Sequence, residues 1–104
     1  MQQPVTLSLI GAGNRGRGIF GRYALDTPDD AVFTHVVEPD ADRRNAFARE
    51  HGLPPEACFE DIDTFFSASE RRSEGLVIAT QEDHRLEPAL RAIEAGYHVL
   101  IEKP

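Results

Sequence analysis

Two short segments of this chain, about 90 residues apart, combine residue types whose spacing suits chemistry. Gly11, Gly13 and Gly16 form a Gly-x-Gly-x-x-Gly pattern directly after an apolar run, and Lys103 follows Glu102 directly after another. Glycines in that pattern, between a strand and a helix, are typical of a turn that binds a pyrophosphate. A lysine with a lowered pKa can exchange a proton with a hydroxyl or carbonyl group during hydride transfer. The two segments together predict a site for oxidation or reduction.

Each glycine of the turn has a separate predicted role. Gly11 permits the sharp exit from the strand, Gly13 lets a pyrophosphate approach the backbone, and Gly16 lets the helix pack closely on the sheet. The amides of Asn14 and Arg15 would then face the phosphates at the positive end of the helix. The alternative is a glycine-rich turn without a ligand. The strand before the turn and the helix after it favour a pyrophosphate-binding turn over this alternative.

Glu38 is the predicted contact for the adenosine ribose. It lies 22 residues after Gly16, at the end of the second apolar run. A carboxylate there can accept both ribose hydroxyls and repels a 2′-phosphate, so NAD is favoured over NADP. Asp40 is a rival for this role, but its place after a proline suits a helix N-cap better. Arg43, one turn into that helix, offers a site for a 2′-phosphate and leaves the cofactor choice open.

The fourth and fifth strands bring further candidates for the nicotinamide side. Thr80 ends the fourth apolar run, and His84 follows it by a few residues, so both are predicted to contact the cofactor together with Glu102 and Lys103. Lys103 is also the predicted catalytic residue, and Glu102 would orient it. A solvent-exposed histidine at a helix start is the alternative for His84. Three other histidines have no spacing suited to a metal and no predicted role: His35, His51 and His98.

Composition bounds the remaining possibilities. The chain has 104 residues, 40% of them hydrophobic and 28% charged, as expected for one globular domain. A net charge of -7 repels nucleic acid and anionic lipid, so an anionic cofactor needs local donors such as Arg15 and Arg17. Cys58 is the single cysteine and is expected to be a buried apolar residue. No leader or membrane span is evident, so we expect a cytoplasmic protein.

Apolar patterns predict five strands that alternate with four helices. The strands are predicted at residues 5–10, 31–37, 57–59, 75–80 and 97–101, and the helices at 15–25, 41–51, 61–68 and 83–95. Short connections between them require right-handed crossovers and a parallel sheet. The predicted fold is therefore a doubly wound α/β sheet with strand order 3-2-1-4-5, in which the ligand crevice lies between the first and fourth strands.

Helical spacing also predicts which side chains face this sheet. The inward residues of the first helix are expected to be Gly16, Ile19, Phe20, Tyr23 and Ala24, and those of the last helix Leu86, Leu90 and Ile93. Gly18 is expected to be a second position of close packing.

The closing passage from His84 to Pro104 resembles the Gfo/Idh/MocA oxidoreductases. In that family a histidine, an Ala-Gly helix end and a Glu-Lys-Pro motif recur in this order, as they do here at His84, Ala95-Gly96 and Glu102-Lys103-Pro104. The opening Gly-Ala-Gly-Asn-Arg-Gly and the Glu-Pro-Asp of residues 38–40 are similar to the family as well. The resemblance covers nearly the whole chain.

The resemblance implies that residues 1–104 are a Rossmann domain, cut after the Glu-Lys-Pro motif, and that a larger α/β domain outside them holds the substrate and forms a homo-oligomer. It implies that Lys103 is the catalytic lysine and that its histidine partner belongs to that other domain.

Two positions depart from the family pattern. Glu38 stands where aspartate is common, which keeps the preference for NAD, and Gln81 stands where a proline is common, which puts the nicotinamide-side loop in doubt.

The leading interpretation is the NAD-binding part of an oxidoreductase that acts on a sugar, polyol or related hydroxyl-bearing substrate. These 104 residues alone are expected to bind the cofactor poorly and to be inactive. Nucleic acid and membranes are not expected partners. Two alternatives stay open: an NAD-dependent glycoside hydrolase that oxidises its substrate transiently, and a non-catalytic module that senses NAD.

Overall fold

A five-stranded parallel sheet forms the centre of the computed structural model, which describes residues 3–67, 71–80 and 85–101. Its order is β3-β2-β1-β4-β5, and every neighbouring pair is parallel. The strands are β1 (Val5–Ile10), β2 (Ala31–Val37), β3 (Cys58–Phe59), β4 (Gly75–Ile78) and β5 (His98–Ile101). The predicted doubly wound α/β sheet and its strand order are confirmed.

Helices cover both faces of the sheet. They are α1 (Arg22–Asp26), α2 (Ala41–His51), α3 (Ile62–Phe65) and α4 (Leu86–Glu94), with a π-helical segment at Gly16–Gly21 before α1 and a 3₁₀ turn at Pro55–Ala57. Asp40 caps α2 by accepting from the amide of Arg43, and Gly52 ends it with φ of 64°. The predicted N-cap at Asp40 is confirmed, and a left-handed glycine is typical of a helix end.

Two apolar cores lie on opposite faces of the sheet. One joins Leu9 and Val77 of the strands to Ala24 of α1 and Phe47 of α2. The other joins strand residues to Phe65 of α3 and to Ala89 and Ala92 of α4. Because side chains alternate along a strand, neighbouring strand residues serve different cores.

The first helical segment differs from its prediction. Ile19 and Tyr23 line an apolar cavity together with Phe20, Ala24 and strand residues, so they share the predicted face, but they are 49% and 56% exposed and lie outside the core. Gly18 has no atom within 4 Å of the place where its Cβ would lie, among the residues described, so it is no packing position. Gly21 takes that role, since its Cβ would lie 3.0 Å from Phe47. The prediction rested on a 3.6-residue spacing, whereas Gly16–Gly21 is π-helical.

The face of α4 was also wrongly predicted. Leu86, Leu90 and Ile93 are exposed by 71%, 51% and 63%, whereas the small residues Ala89 and Ala92 are buried. Alanines let a helix approach a sheet closely, while the larger side chains form a parallel stripe on the outer side. The spacing of apolar residues along α4 shows that the helix has two apolar stripes. It does not show which of the two packs against the sheet. Asp83, the first residue of the predicted helix, lies outside the described residues.

Candidate functional site

The turn after β1 and the end of β4 meet at the carboxyl edge of the sheet. Gly11 has φ of +95°, a conformation that favours glycine, and its Cβ would lie 2.9 Å from both the carbonyl carbon of Ala79 and the amide nitrogen of Thr80. The amide of Ala79 donates to the carbonyl of Ile10 at 2.8 Å. Any side chain at position 11 would therefore push the two strand ends apart.

Gly16 fixes the helix against the same turn. A Cβ on Gly16 would lie 2.0 Å from the carbonyl oxygen of Gly11, a distance that no side chain can occupy. The amide of Arg17 donates to the carbonyl of Gly13 at 2.8 Å, so the first helical hydrogen bond begins within the turn. The predicted conformational roles of Gly11 and Gly16 are thus confirmed.

Gly13 is the one glycine of the pattern with open space above it. Among the described residues, the only atom within 4 Å of its would-be Cβ is Nη1 of Arg43, at 3.7 Å, which is ordinary van der Waals contact. Its φ is not in the left-handed range. Neither packing nor backbone conformation within the described residues thus requires glycine at this position.

Glu38 is buried at the end of β2, with 6% of its surface exposed. One carboxylate oxygen accepts from the amide of Ala12 at 2.8 Å, and the other accepts from the amide of Asp40 at 2.9 Å. Glu38 therefore joins the glycine turn to the connection between β2 and α2. Sequence reasoning missed this bracing role, because no local pattern shows that the side chain folds back onto the turn.

The arginines near the turn differ in what they contact. Arg17 donates through both Nε and Nη2 to the carboxylate of Glu50, at 2.8 and 2.9 Å. This pairing lowers the pKa of Glu50 and raises that of Arg17. The positive charge predicted for phosphate binding at Arg17 is thus already paired. A cleft of about 530 Å³ runs beside the turn and is lined by Gly13, Asn14, Arg17, Arg43 and Glu50, among other residues.

The nicotinamide side is described only in part. The carbonyl of Thr80 accepts from Nε of Arg85 at 3.0 Å, and Ile101 pairs with Ile78, so β4 and β5 end side by side. The predicted site residues His84, Glu102 and Lys103 lie outside the described residues. The structure therefore brings together the turn residues, Glu38 and Thr80.

The described histidines lie away from this edge or on the surface. His51 stacks on Phe47 with ring centroids 4.1 Å apart, and its Nε2 is buried without a hydrogen-bond partner. Burial lowers the pKa of His51 and of His35. Within the described ranges, no three His, Cys, Asp or Glu side chains are grouped as a metal ion would need. Cys58 is half-buried, and burial raises the pKa of its thiol.

This arrangement fits a dinucleotide. Gly13 leaves room for a phosphate against the backbone, Gly11 and Gly16 hold the turn in shape, and Glu38 lies under it at the end of β2. Contacts within the chain form this cradle.

Comparison with known families gives the same fold. The family model GFO_IDH_MocA, described as an oxidoreductase family with an NAD-binding Rossmann fold, matches residues 5–104. The uncharacterized oxidoreductase YfiI of Bacillus subtilis (strain 168) is 26% identical over 110 residues, which cover 100% of this chain and 28% of the relative.

Solved structures are similar over nearly all of the chain. The WlbA dehydrogenase from Bordetella pertussis, in complex with NADH and UDP-GlcNAcA, superposes with a TM-score of 0.81 at 22% identity, covering 98% of this chain and 29% of that one. A myo-inositol dehydrogenase from Corynebacterium glutamicum gives a TM-score of 0.81 at 23% identity, covering 97% and 28%. This chain thus spans less than a third of each relative. Among the described residues, no helix has the length and apolar character needed to cross a membrane.

Proposed function

This chain belongs to the Gfo/Idh/MocA oxidoreductase family, and from that premise we propose that it is the dinucleotide-binding domain of an enzyme acting on a sugar, polyol or related hydroxyl-bearing substrate. The chain is an NAD-binding oxidoreductase domain by its family. The substrate class is supported by the similar structures, one of which holds UDP-GlcNAcA and another of which is a myo-inositol dehydrogenase. NAD, when bound, supplies the hydride acceptor, and NADH the donor.

The main observation in support of the proposed binding site is the open space above Gly13. Gly11 and Gly16 are needed by the fold, because a Cβ at either would clash with backbone atoms. Gly13 is not needed in this way, so a glycine there serves the approach of a pyrophosphate. Asn14 and Arg15 continue the turn toward the helix start, where the backbone dipoles favour anions. Glu38 and Thr80 are proposed cofactor contacts on either side.

Substitution of Gly13 tests this site. Gly13→Ala should leave the free energy of unfolding nearly unchanged and weaken NAD binding by about tenfold or more, since a methyl group fills the cradle. Isothermal titration and urea unfolding measure the two effects. Gly18→Ala is the matched control, because Gly18 is also exposed and a methyl group there meets no described atom within 4 Å. Undiminished NAD affinity in Gly13→Ala would contradict the proposed pyrophosphate site.

Lys103 is the proposed catalytic residue, with His84 and Glu102 beside the cofactor. It is the only lysine of the 104 residues and follows Ile101 by two positions, after a strand that ends beside β4. An ammonium near the reacting carbon can hydrogen-bond the substrate oxygen and exchange its proton. The substrate domain, the partner histidine and the homo-oligomer are proposed to belong to the rest of the protein, and residues 1–104 alone are proposed to be inactive.

Two variants of Lys103 test whether the lysine acts by exchanging a proton or only by its positive charge. In the full-length protein, Lys103→Ala should remove turnover of sugars and polyols by at least about a hundredfold. It should change NAD affinity little. Lys103→Arg keeps the positive charge but cannot release a proton near neutral pH, so it should be equally inactive. Full turnover in either variant would refute the proposed role of Lys103.

The choice of cofactor has its own test. Titration with NAD and NADP should show that NAD binds at least as tightly, because a 2′-phosphate would meet the carboxylate of Glu38. A clear preference for NADP would overturn the role given to Glu38.

A further inference from the structure

We propose that Arg44 is a positioning residue of the dinucleotide site, which holds Glu38 so that its carboxylate can accept the hydroxyls of the adenosine ribose. Arg44 acts through Glu38 and not by contact with the cofactor. The inference rests on the proposed dinucleotide site and adds a residue that builds it. It predicts that recognition of the ribose depends on a side chain of α2.

The Arg44 side chain reaches back from the first turn of α2 over the connection from β2. Its Nη1 donates to the carbonyl oxygen of Glu38 at 2.8 Å and to that of Pro39 at 3.4 Å. The side chain is only 14% exposed. A mostly buried guanidinium is thus bonded to the main chain at the residue that is proposed to bind the ribose.

The chain leaves the sheet at this point, so its carbonyls need a donor from elsewhere. The pairing of β2 with β3 ends at Val37 and Phe59, although the amide of Glu38 still donates to the carbonyl of Phe59 at 2.9 Å. Pro39 has no amide hydrogen and cannot continue a strand ladder. The carbonyls of Glu38 and Pro39 follow the last paired residue of β2, and Arg44 supplies a donor to both.

Glu38 is held at four points, and Arg44 provides one of them. The carboxylate accepts from the amides of Ala12 and Asp40, the amide of Glu38 donates to Phe59, and the carbonyl of Glu38 accepts from Arg44. The first three contacts are made with main-chain groups of other residues. The contact with Arg44 is made with a side chain, so a substitution can remove it and leave the other three in place.

This hold matters because a binding group must be kept within a fraction of an ångström of its productive position. Each carboxylate oxygen of Glu38 has a lone pair beyond the one that accepts a backbone amide, so the carboxylate can still accept a ribose hydroxyl. Without Arg44, the connection at residues 38–40 would have to be ordered when the cofactor binds. That ordering lowers affinity for the part of the cofactor that Glu38 contacts.

Arg44 has a second neighbour, Glu60, which could instead explain its presence. Nη2 of Arg44 lies 3.9 Å from Oε1 of Glu60, whose side chain is 77% exposed. An exposed ion pair at this distance contributes little, whereas a charged donor at 2.8 Å from a carbonyl makes a strong hydrogen bond. Glu60→Gln removes the ion pair and keeps both carbonyl contacts, so it is the matched control.

The test compares NAD with an analogue that lacks the 2′-hydroxyl of the adenosine ribose, by isothermal titration of the full-length protein. The unaltered protein should bind NAD at least about tenfold more tightly than the analogue, as expected for loss of a hydrogen bond to a carboxylate. Arg44→Met keeps an apolar side chain of similar length and removes its donors. It should weaken NAD binding by about fivefold or more and analogue binding by less than about twofold.

Two further variants complete the comparison. Arg44→Gln is too short to reach the carbonyls of residues 38 and 39, so it should lose selectivity for the 2′-hydroxyl as Arg44→Met does. It gives the result if the methionine variant does not fold. Glu60→Gln should change neither affinity beyond twofold or so.

Several results would overturn the inference. Equal weakening of NAD and the analogue by Arg44→Met would make Arg44 a structural residue only, and unchanged selectivity would show that it does not position Glu38. The same loss of selectivity in Glu60→Gln would assign the effect to the ion pair. Equal binding of the two ligands to the unaltered protein would refute the ribose contact of Glu38 and this inference with it. Failure of NAD to bind the unaltered protein would instead refute the proposed function.

Discussion

The half of the sheet that contains β2 and the half that contains β5 differ in how completely the described chain covers them. At β2 and α2, Val36 and Phe47 have no exposed surface, and Glu38 has both oxygens bonded. The exposed apolar residues of this half, such as Ile19 and Tyr23, belong to the first helical segment. Around α4 and β5, by contrast, Leu86 is 71% exposed and Leu100 is 52% exposed. The half proposed to hold the adenosine and pyrophosphate is thus set by contacts within these residues. The half proposed to lead toward the substrate presents apolar surface of the kind that proteins cover by association.

The largest difference between the halves should appear when a large core side chain is removed. Phe47→Ala leaves a cavity between α2 and the sheet, beside Phe33 and His51. We expect a loss of about 3–5 kcal/mol in the free energy of unfolding. Urea unfolding followed by circular dichroism measures it. A loss below 1 kcal/mol or so would show that the first half is less tightly packed than its burial indicates.

Two glycines in one segment sharpen the comparison within the first half. Gly16→Ala would bring a methyl group 2.0 Å from the carbonyl of Gly11, so we expect destabilisation of about 3 kcal/mol or more, from overpacking against backbone. Gly18→Ala meets nothing and should stabilise the helix by about 0.5–1 kcal/mol. Thermal unfolding of both variants tests this, and equal changes would contradict the close packing of Gly16.

Substitution of Glu38 and of Glu50 tests whether the hydrogen bonds that brace the turn stabilise the fold more than an exposed ion pair does. Glu38→Gln replaces one of the two accepting oxygens by an NH₂ group, which would then face a backbone N–H donor in a buried site. This should lower the free energy of unfolding by about 1–3 kcal/mol. Glu50→Gln breaks the exposed pair with Arg17 and should cost less than about 1 kcal/mol. Chemical denaturation at neutral pH compares them. The reverse order would mean that Glu38 does not brace the turn.

A smaller effect should follow from pH. His51 has its pKa lowered by burial against Phe47, so the unfolded chain binds a proton more readily than the folded protein. Stability from the neutral imidazole is therefore full above pH 6.5 or so and is lost as the pH falls through the lowered pKa of the folded state.

Denaturation midpoints at pH 7 and pH 5 should differ less in His51→Phe than in the unaltered protein. His98→Phe is the control, because His98 is exposed on β5. A pH response in His51→Phe that equals the original would assign the effect to other groups. His35 is the first of these, since burial lowers its pKa too.

The smallest effect is expected in the other half. Leu86→Ala should change the free energy of unfolding by no more than about 0.5 kcal/mol, because the side chain is mostly in solvent. Thermal unfolding of the 104-residue chain measures it. A loss of about 2 kcal/mol would mean that the stripe on α4 is covered, and the contrast between the halves would disappear.

Local signals in the sequence were sufficient for much of the fold. The strand ending at Ile10, the cap at Asp40 and the left-handed Gly52 each follow from a short pattern with a physical cause, and all three are observed. Strand order followed because right-handed crossovers leave few arrangements of five parallel strands. The same rule placed the glycine turn, Glu38 and Thr80 at one edge of the sheet.

Contacts between distant segments could not be predicted in this way. The outer stripe of α4 and the π-helical turn at Gly16–Gly21 depend on how closely helices approach the sheet, and the pairing of Arg17 with Glu50 depends on how two helices meet. The spacing of apolar residues carries none of that information.

The sequence alone thus determined the parallel sheet, its glycine turn and the acid at the end of β2, because each follows from local conformation and chain connectivity. Only the tertiary structure decided that Glu38 is a buried brace, that Arg17 is already paired and that Arg43 overhangs Gly13. The physical reason is that hydrogen bonds and ion pairs depend on side-chain positions within a few tenths of an ångström, which are set by packing between segments far apart in the chain.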